Sequence, residues 1–320
     1  MASYTGGGSS VTLTTGVVNN STIADITKTG ADAYTRYLLV KGDAVANDLL
    51  IYSSGSACVS AGGTINGAIV NGRGRLEVSS GGVANDISTT AGTIEFWTYA
   101  GGTATNLDFN NTGGYVILYG GTLTGGSVRN CAIFQVRTGA VVSNYTFLKT
   151  ADATRYNLAG GTLIDCAVGA GGIYRVSGAG ITERLTVSGA NARFIVSGGT
   201  MNDPLVSGGT MYLYQGTVNR AKVVSGAVAG NANRGYFYGY GGTVNDITFA
   251  SRGSGAFVST TINDLKISQG DSATYPTVVL YSGAVVTGGS TSATVELFVS
   301  SGAVVKDFTV NTDAYIYMVA

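Results

Sequence analysis

Apolar and polar positions alternate along this chain in short runs, none of them periodic over the length a helix needs. Phe194, Ile195 and Val196 form an apolar triplet, and Ser197, Gly198 and Gly199 follow as a corner of small residues. Thr200 and Met201 then lead to Asn202 and Asp203. Leu205 and Val206 resume the apolar pattern before a second corner at Ser207, Gly208 and Gly209. Strand-like triplets separated by glycine corners predict a chain that turns every few residues and returns on itself. The phrase recurs as LEVSSGGVANDI at 76–87, GYGGTVNDITF at 239–249, TTINDLKI at 260–267 and FVSSGAVVKDFTV at 298–310. Successive units begin roughly every 18 to 24 residues, which marks stacked repeats. The predicted fold is all-β: a single-domain parallel β-solenoid, or β-helix, of about fifteen coils with roughly 20 residues in each.

The shared register predicts which side chains point inward, Leu118, Leu158, Val196, Leu213 and Ile247 among them, because side chains alternate faces along a strand. It also divides the chain. Residues 1–33 are irregular and read as a possible N-terminal cap, whereas 34–320 form the repetitive body. Longer units such as 94–115, 134–155 and 212–234 place extra polar residues at a corner, where they leave the strand ladder undisturbed. The closing run YIYMVA reads as the opening strand of a further coil. Its open edge predicts cover by another copy, head to tail, or by more repeats of a longer parent chain.

Composition supports the corners. The 320 residues include 50 glycines and only 2 prolines. Glycine reaches positive φ at no steric cost, while proline would remove a donor from the strand ladder. Charge is sparse and balanced, with 18 basic and 18 acidic side chains. No basic block exists to neutralise a phosphate backbone, so nucleic acid is not an expected partner. No apolar run is long enough for a membrane helix, and insertion of this chain into a membrane is not expected. The start, MASYTGGGSS, lacks the regions of a secretory signal, so the chain is expected to be a piece of a longer precursor or to use an export route it does not display.

One slot of the repeat carries Asn or Asp: Asp48, Asp86, Asn106, Asn144, Asp165, Asp203, Asp246, Asp264 and Asp307. These residues favour a structural turn ladder, because Asn and Asp cap their own turns and tolerate left-handed backbone. The competing reading is a row of acids binding calcium or cleaving a glycan. Arg184 and Arg220 stand in the same slot with no compensating pattern in the sequence, which weighs against it. Glu77, Glu95, Glu183 and Glu296 are scattered, about one per unit or fewer.

Tyrosine is the most suggestive surface residue. In YVILY at 115–119 the two-residue period puts Tyr115 and Tyr119 on the face opposite Val116 and Leu118. Tyr212 and Tyr214 alternate with Leu213; Tyr236, Tyr238 and Tyr240 with Phe237; Tyr315 and Tyr317 with Ile316. With the aliphatic face inward, these tyrosines form an outer surface for a ligand or partner, a sugar ring or another protein, since each offers an apolar body and a polar tip. Cross-strand stacking for stability alone is the alternative.

Catalysis and metal binding find little support. There is no histidine, which excludes the usual Ser-His-Asp and Cys-His arrangements. Cys58, Cys131 and Cys166 are widely spaced and form no CxxC pair, so no zinc site, metal or cofactor is expected. Cys166 falls in an apolar slot and reads as a small buried hydrophobe.

The units LEVSSGGVANDI, FIVSGGTMNDPLVSGGTMYL and FVSSGAVVKDFTV resemble the repeats of AIDA-type autotransporter passengers over most of 34–314. That resemblance implies a surface-exposed or secreted β-solenoid, adhesive or self-associating, glycosylated on Ser or Thr in some members. The sequence therefore predicts a non-catalytic structural or adhesive module, extracellular or on the cell surface, that mediates attachment or self-association. Its expected partners are surface glycans, surface proteins, or further copies of itself joined head to tail or laterally. Two rival readings are a subunit of an extracellular filament or sheath and a polysaccharide-active β-helix enzyme.

Overall fold

The computed structural model describes residues 3–5, 11–24, 36–111, 113–148, 155–226, 234–268, 275–292, 294–311 and 313–320. Every regular element among them is a β-strand. The chain is a parallel β-solenoid of about 14 turns with about 19 residues per turn, close to the fifteen coils read from the sequence. It falls into two compact units, Met1–Thr162 and Leu163–Ala320.

A coil of the first unit shows how the repeat folds. The strand Glu95–Thr98 turns inward Phe96 and Thr98, and a corner at 99–102 leads to the strand Thr103–Asn110. That strand bends at Asn106, whose φ is +51°, so it serves two faces of the coil. Ala104 points inward before the bend, and Leu107 and Phe109 after it. The next coil repeats the pattern in register, with one residue fewer at the corner: Phe96 lies opposite Val116, Ala104 opposite Leu123 and Leu107 opposite Gly126. Each coil thus satisfies its backbone on the coils above and below, which no coil could do alone.

The glycine corners are set by stacking as much as by turn geometry. Gly81 takes φ +70°, and a Cβ on Gly82 would stand 2.3 Å from the carbonyl oxygen of Val59 in the preceding coil. Only glycine leaves room for coils to approach there.

In the second unit the same period builds its own core. Val196 lies opposite Leu213, and Val218 opposite Val244 and then, one coil on, Ile262. Phe237, Phe249 and Phe257 pack ring to ring at 5.5 and 6.0 Å. Two inward glycines provide the space: a Cβ on Gly239 would meet Phe257 at 2.6 Å, and one on Gly255 would meet Phe249 at 2.4 Å. Leu118, Leu158, Val196, Leu213 and Ile247, expected inside, are fully buried.

Of the segment 1–33, strands at Ser3–Thr5, Val11–Leu13, Val17–Asn19 and Thr22–Ala24 pair in parallel with later strands, while 6–10 and 25–33 lie outside the described residues. Of the long unit 212–234, residues 227–233 also lie outside them.

Candidate functional site

Three surface arrangements follow from the stacking, and the first is the corner ladder. In the first unit Asp48, Asp86, Asn106 and Asn144 take φ between +51° and +55°. In the second, Asp165, Asp203, Asp246, Asp264 and Asp307 take φ between +52° and +65°. Where the slot lacks Asn or Asp it holds glycine, as at Gly67 and Gly125, or arginine. Arg184 and Arg220 adopt φ +51° and +53°, a conformation uncommon for a long side chain.

The expectation that these arginines lack a compensating pattern is corrected by the structure. Arg184 donates from Nε to Asp165 Oδ1 at 2.6 Å and from an Nη to Oδ2 at 2.7 Å; Arg220 grips Asp203 the same way at 2.6 and 2.8 Å. Lys266 Nζ lies 3.0 Å from Asp246 and 2.8 Å from Asp264. The hydrogen-bonded guanidinium of Arg184 holds the Asp165 carboxyl below its ordinary range, and that of Arg220 does so for Asp203. The partner sits one coil away, so a reading of single units misses it. Asp165, Asp203, Asp246 and Asp264 are thus engaged by cations of the chain itself, and Asp86 accepts from the Asn106 amide. Among the described residues no group of three or more His, Cys, Asp or Glu gathers to hold a metal ion.

Directly before the corner runs an amide ladder that the sequence reading overlooked. Asn47 donates to Asn19, Asn66 to Asn47 and Asn85 to Asn66 at 2.8–2.9 Å. In the second unit Asn202 donates to Glu183, Asn219 to Asn202, Asn245 to Asn219 and Asn263 to Asn245 at 2.7–2.8 Å. Each amide uses one N–H and one carbonyl along the stack. The recurring Asn-Asp dipeptide carried the signal: its first residue points out of the sheet in register while its second makes the bend.

The tyrosines form the third arrangement, and they divide by place. In the first unit Tyr119 stacks on Tyr99 with ring centroids 5.4 Å apart and meets Trp97 edge-on at 5.9 Å. Arg75 lies 3.5 Å above the Trp97 ring and Arg137 lies 4.4 Å from the Tyr119 ring, so cations cap both aromatics. Tyr115, on the same strand and face, lies opposite Glu95 and Ile133. Stacking also brings Glu77 and Glu95, scattered in sequence, onto one guanidinium: Arg75 Nε is 2.6 Å from Glu77 and 3.8 Å from Glu95. Burial raises the Glu77 carboxyl above its ordinary value against the pull of Arg75, and Glu95 adds to the rise.

In the second unit Tyr212 stacks on Tyr238 at 5.4 Å and Tyr214 on Tyr240 at 5.2 Å, with Tyr236 nearly parallel to Tyr238 at 6.1 Å. Tyr214 and Tyr240 are each 47% exposed. Each stacked pair spends one face of each ring on its neighbour, leaving hydroxyl-tipped rims and outer faces for solvent. Tyr317 stacks on Phe298 at 4.6 Å, and Tyr315 lies beside it at 6.5 Å. Between that group and Tyr238 the row carries Ala256 and Val279, so the tyrosines do not form one unbroken stripe.

The three cysteines are buried. Burial pushes the Cys131 thiol up to about 12, and its S–H donates to the carbonyl of Ile133 at 3.0 Å.

No family model matches the chain, and no curated protein matches it. Among solved structures it is similar to the crystal structure of a TibC-catalyzed hyper-glycosylated TibA55-350 fragment, with a TM-score of 0.55 and 22% identity over 99% of this chain and 97% of that one. At that identity the two chains share a fold, and the parallel solenoid read from the repeats is the fold they share.

Proposed function

We propose that this chain is a non-catalytic attachment module of the extracellular space or cell surface, binding hydroxyl-rich partners, glycans first, through the tyrosines of its second unit. One observation carries the reading. Tyr212, Tyr214, Tyr236, Tyr238 and Tyr240 project from two successive in-register strands of a sheet whose every strand is paired, with the rims of Tyr214 and Tyr240 open to solvent. A rigid array of amphipathic rings recognises a partner at small entropic cost, because little remains to be ordered on binding. The resemblance to AIDA-type repeats supports the setting, and the fold is the one shared with the hyper-glycosylated TibA55-350 fragment. Immobilised glycans and whole cells, probed with the intact protein and with a Tyr214→Ala/Tyr240→Ala variant, test it. Binding is expected to fall about tenfold or more, the equivalent of about 1.4 kcal/mol, with the circular dichroism spectrum retained. Binding that survives the double substitution would sink the reading.

A second reading, end-to-end assembly, is favoured by a cleft of about 580 Å³ lined by Leu297, Val299, Val304, Phe308, Ile316 and Met318. Ile316 and Met318 continue the rows of Leu297 and Val299, yet Met318 is 78% exposed. Multi-angle light scattering of the wild-type chain beside Met318→Glu discriminates: association lost in the variant supports assembly through this cleft.

A further inference from the structure

We propose that Tyr214 and Tyr240 form a pre-organised modification site, a pair that a one-electron oxidant joins into an intramolecular dityrosine stapling two successive coils. The pairing is imposed by the strand ladder. Leu213 lies opposite Gly239, and the Tyr240 amide donates to the Leu213 carbonyl at 2.7 Å, so the two following side chains stand one above the other. Their rings are 5.2 Å apart and 15° from parallel. Both are 47% exposed, which admits an oxidant and leaves the rings room to slide from stacked to edge-joined.

Each phenol gives one electron to the oxidant, the high-valent haem of a peroxidase or a photo-excited sensitiser, and its hydroxyl proton to water. The unpaired electron of each phenoxyl radical spreads to the ring carbons ortho to oxygen. A carbon–carbon bond forms between one Cε of each ring, and the hydrogen on each joined carbon returns to its oxygen as aromaticity is restored. Two electrons and two protons leave in total. Holding both radicals within one molecule favours this coupling over encounter with another chain when the protein is dilute.

The first unit supplies a contrast at nearly the same distance. Tyr99 and Tyr119 stack at 5.4 Å and 7°, but Arg137 sits 4.4 Å from the Tyr119 ring and Arg75 hydrogen-bonds Tyr99. Removing an electron from a ring beside a guanidinium costs more, because the positive charge that develops is repelled. Tyr214 and Tyr240 therefore react before that pair, and their greater exposure puts them ahead of Tyr212 and Tyr238, which stack at 5.4 Å but are partly buried.

The intact chain, dilute and folded, is treated with peroxidase and hydrogen peroxide, then digested and mapped by mass spectrometry. The expected result is blue dityrosine emission, a chain that still runs as a monomer on a denaturing gel, and one linked peptide pair joining Tyr214 to Tyr240 with two hydrogens lost. Tyr214→Phe and Tyr240→Phe each keep a ring to stack but no phenolic hydrogen to lose. Either is expected to abolish the pair and cut emission roughly twofold or more. Links formed mainly between chains, links at other tyrosines while these two stay unmodified, or emission unchanged in Tyr240→Phe would overturn the proposal. So would the absence of dityrosine under conditions that couple free tyrosine.

Discussion

The two units meet the same backbone demand at the same corner with different chemistry. In the first, the bend is held by Asp48, Asp86, Asn106 and Asn144, with Gly67 and Gly125 between them, and Asn106 donates to Asp86 at 2.9 Å. In the second, acids and bases alternate up the corner as Asp165, Arg184, Asp203 and Arg220, each arginine gripping the acid one coil below. The φ values are nearly identical, +51° to +55° for those four against +51° to +53° for these. The left-handed bend is therefore the invariant, and side-chain pairing is what each unit adds to it. Arginine enters a position that ordinarily favours Asn, Asp or Gly because stacking supplies a bidentate partner.

The comparison breaks most severely if the bend itself is attacked. Asn106→Val in the first unit and Asp246→Val in the second place a β-branched residue at φ +51° and +58°, and each is expected to cost about 1–3 kcal/mol in urea unfolding. Similar losses in both units would tie the cost to backbone; a much larger loss at Asp246 would give the ion pairs the leading role. Next in size is the amide ladder. Asn219→Ala removes bonds to Asn202 and Asn245 at once, with an expected loss of about 1–2 kcal/mol. Chemical denaturation beside an Asn219→Thr control, which keeps a hydroxyl in the row, measures it.

Acid separates the units by sign. Glu77 has its carboxyl raised above the ordinary 4.5, so its contribution to stability is full below that value and is lost as pH rises through the raised one. Trp97, the only tryptophan, lies opposite Glu77 on the next strand and reports on that region. Its urea midpoint is expected to be higher near pH 4.5 than near neutrality, and Glu77→Gln is expected to flatten the difference. Asp165 and Asp203 are lowered from 3.8, so their contribution is present above that value and is lost as pH falls through the lowered one. Hydrogen-exchange protection across 200–223 should therefore decline only in stronger acid, after correction for intrinsic rates. The smallest effect is expected from Arg220→Gln. The pair it removes is exposed, so the change in stability is slight and vanishes in molar salt, whereas any effect of Asn106→Asp at the first unit's corner keeps its sign.

Much of the fold was legible in the residues. Inward Leu118, Val196 and Leu213 follow from two-residue alternation, and the bends at Asp203 and Asp246 follow from the turn chemistry of Asn and Asp. Both are local properties of a strand and a corner. The candidate surface was legible only in part. Tyr214 and Tyr240 could be assigned to the outer face, yet their stacking, which spends one face of each ring, depends on which coil lies above which.

That dependence marks the boundary between the two sources of information. Period, strand content, inside and outside, and the positions of the bends are properties of a single coil and can be read from its residues. Neighbours between coils are another matter. Successive partners along the amide ladder lie from 17 to 28 residues apart, because corners differ in length from coil to coil. No fixed offset in the sequence finds the Arg184–Asp165 grip, the guanidinium shared by Glu77 and Glu95, or the ring pairs. Those side chains come together in a register set by backbone hydrogen bonds between coils, which exists only once the coils have stacked.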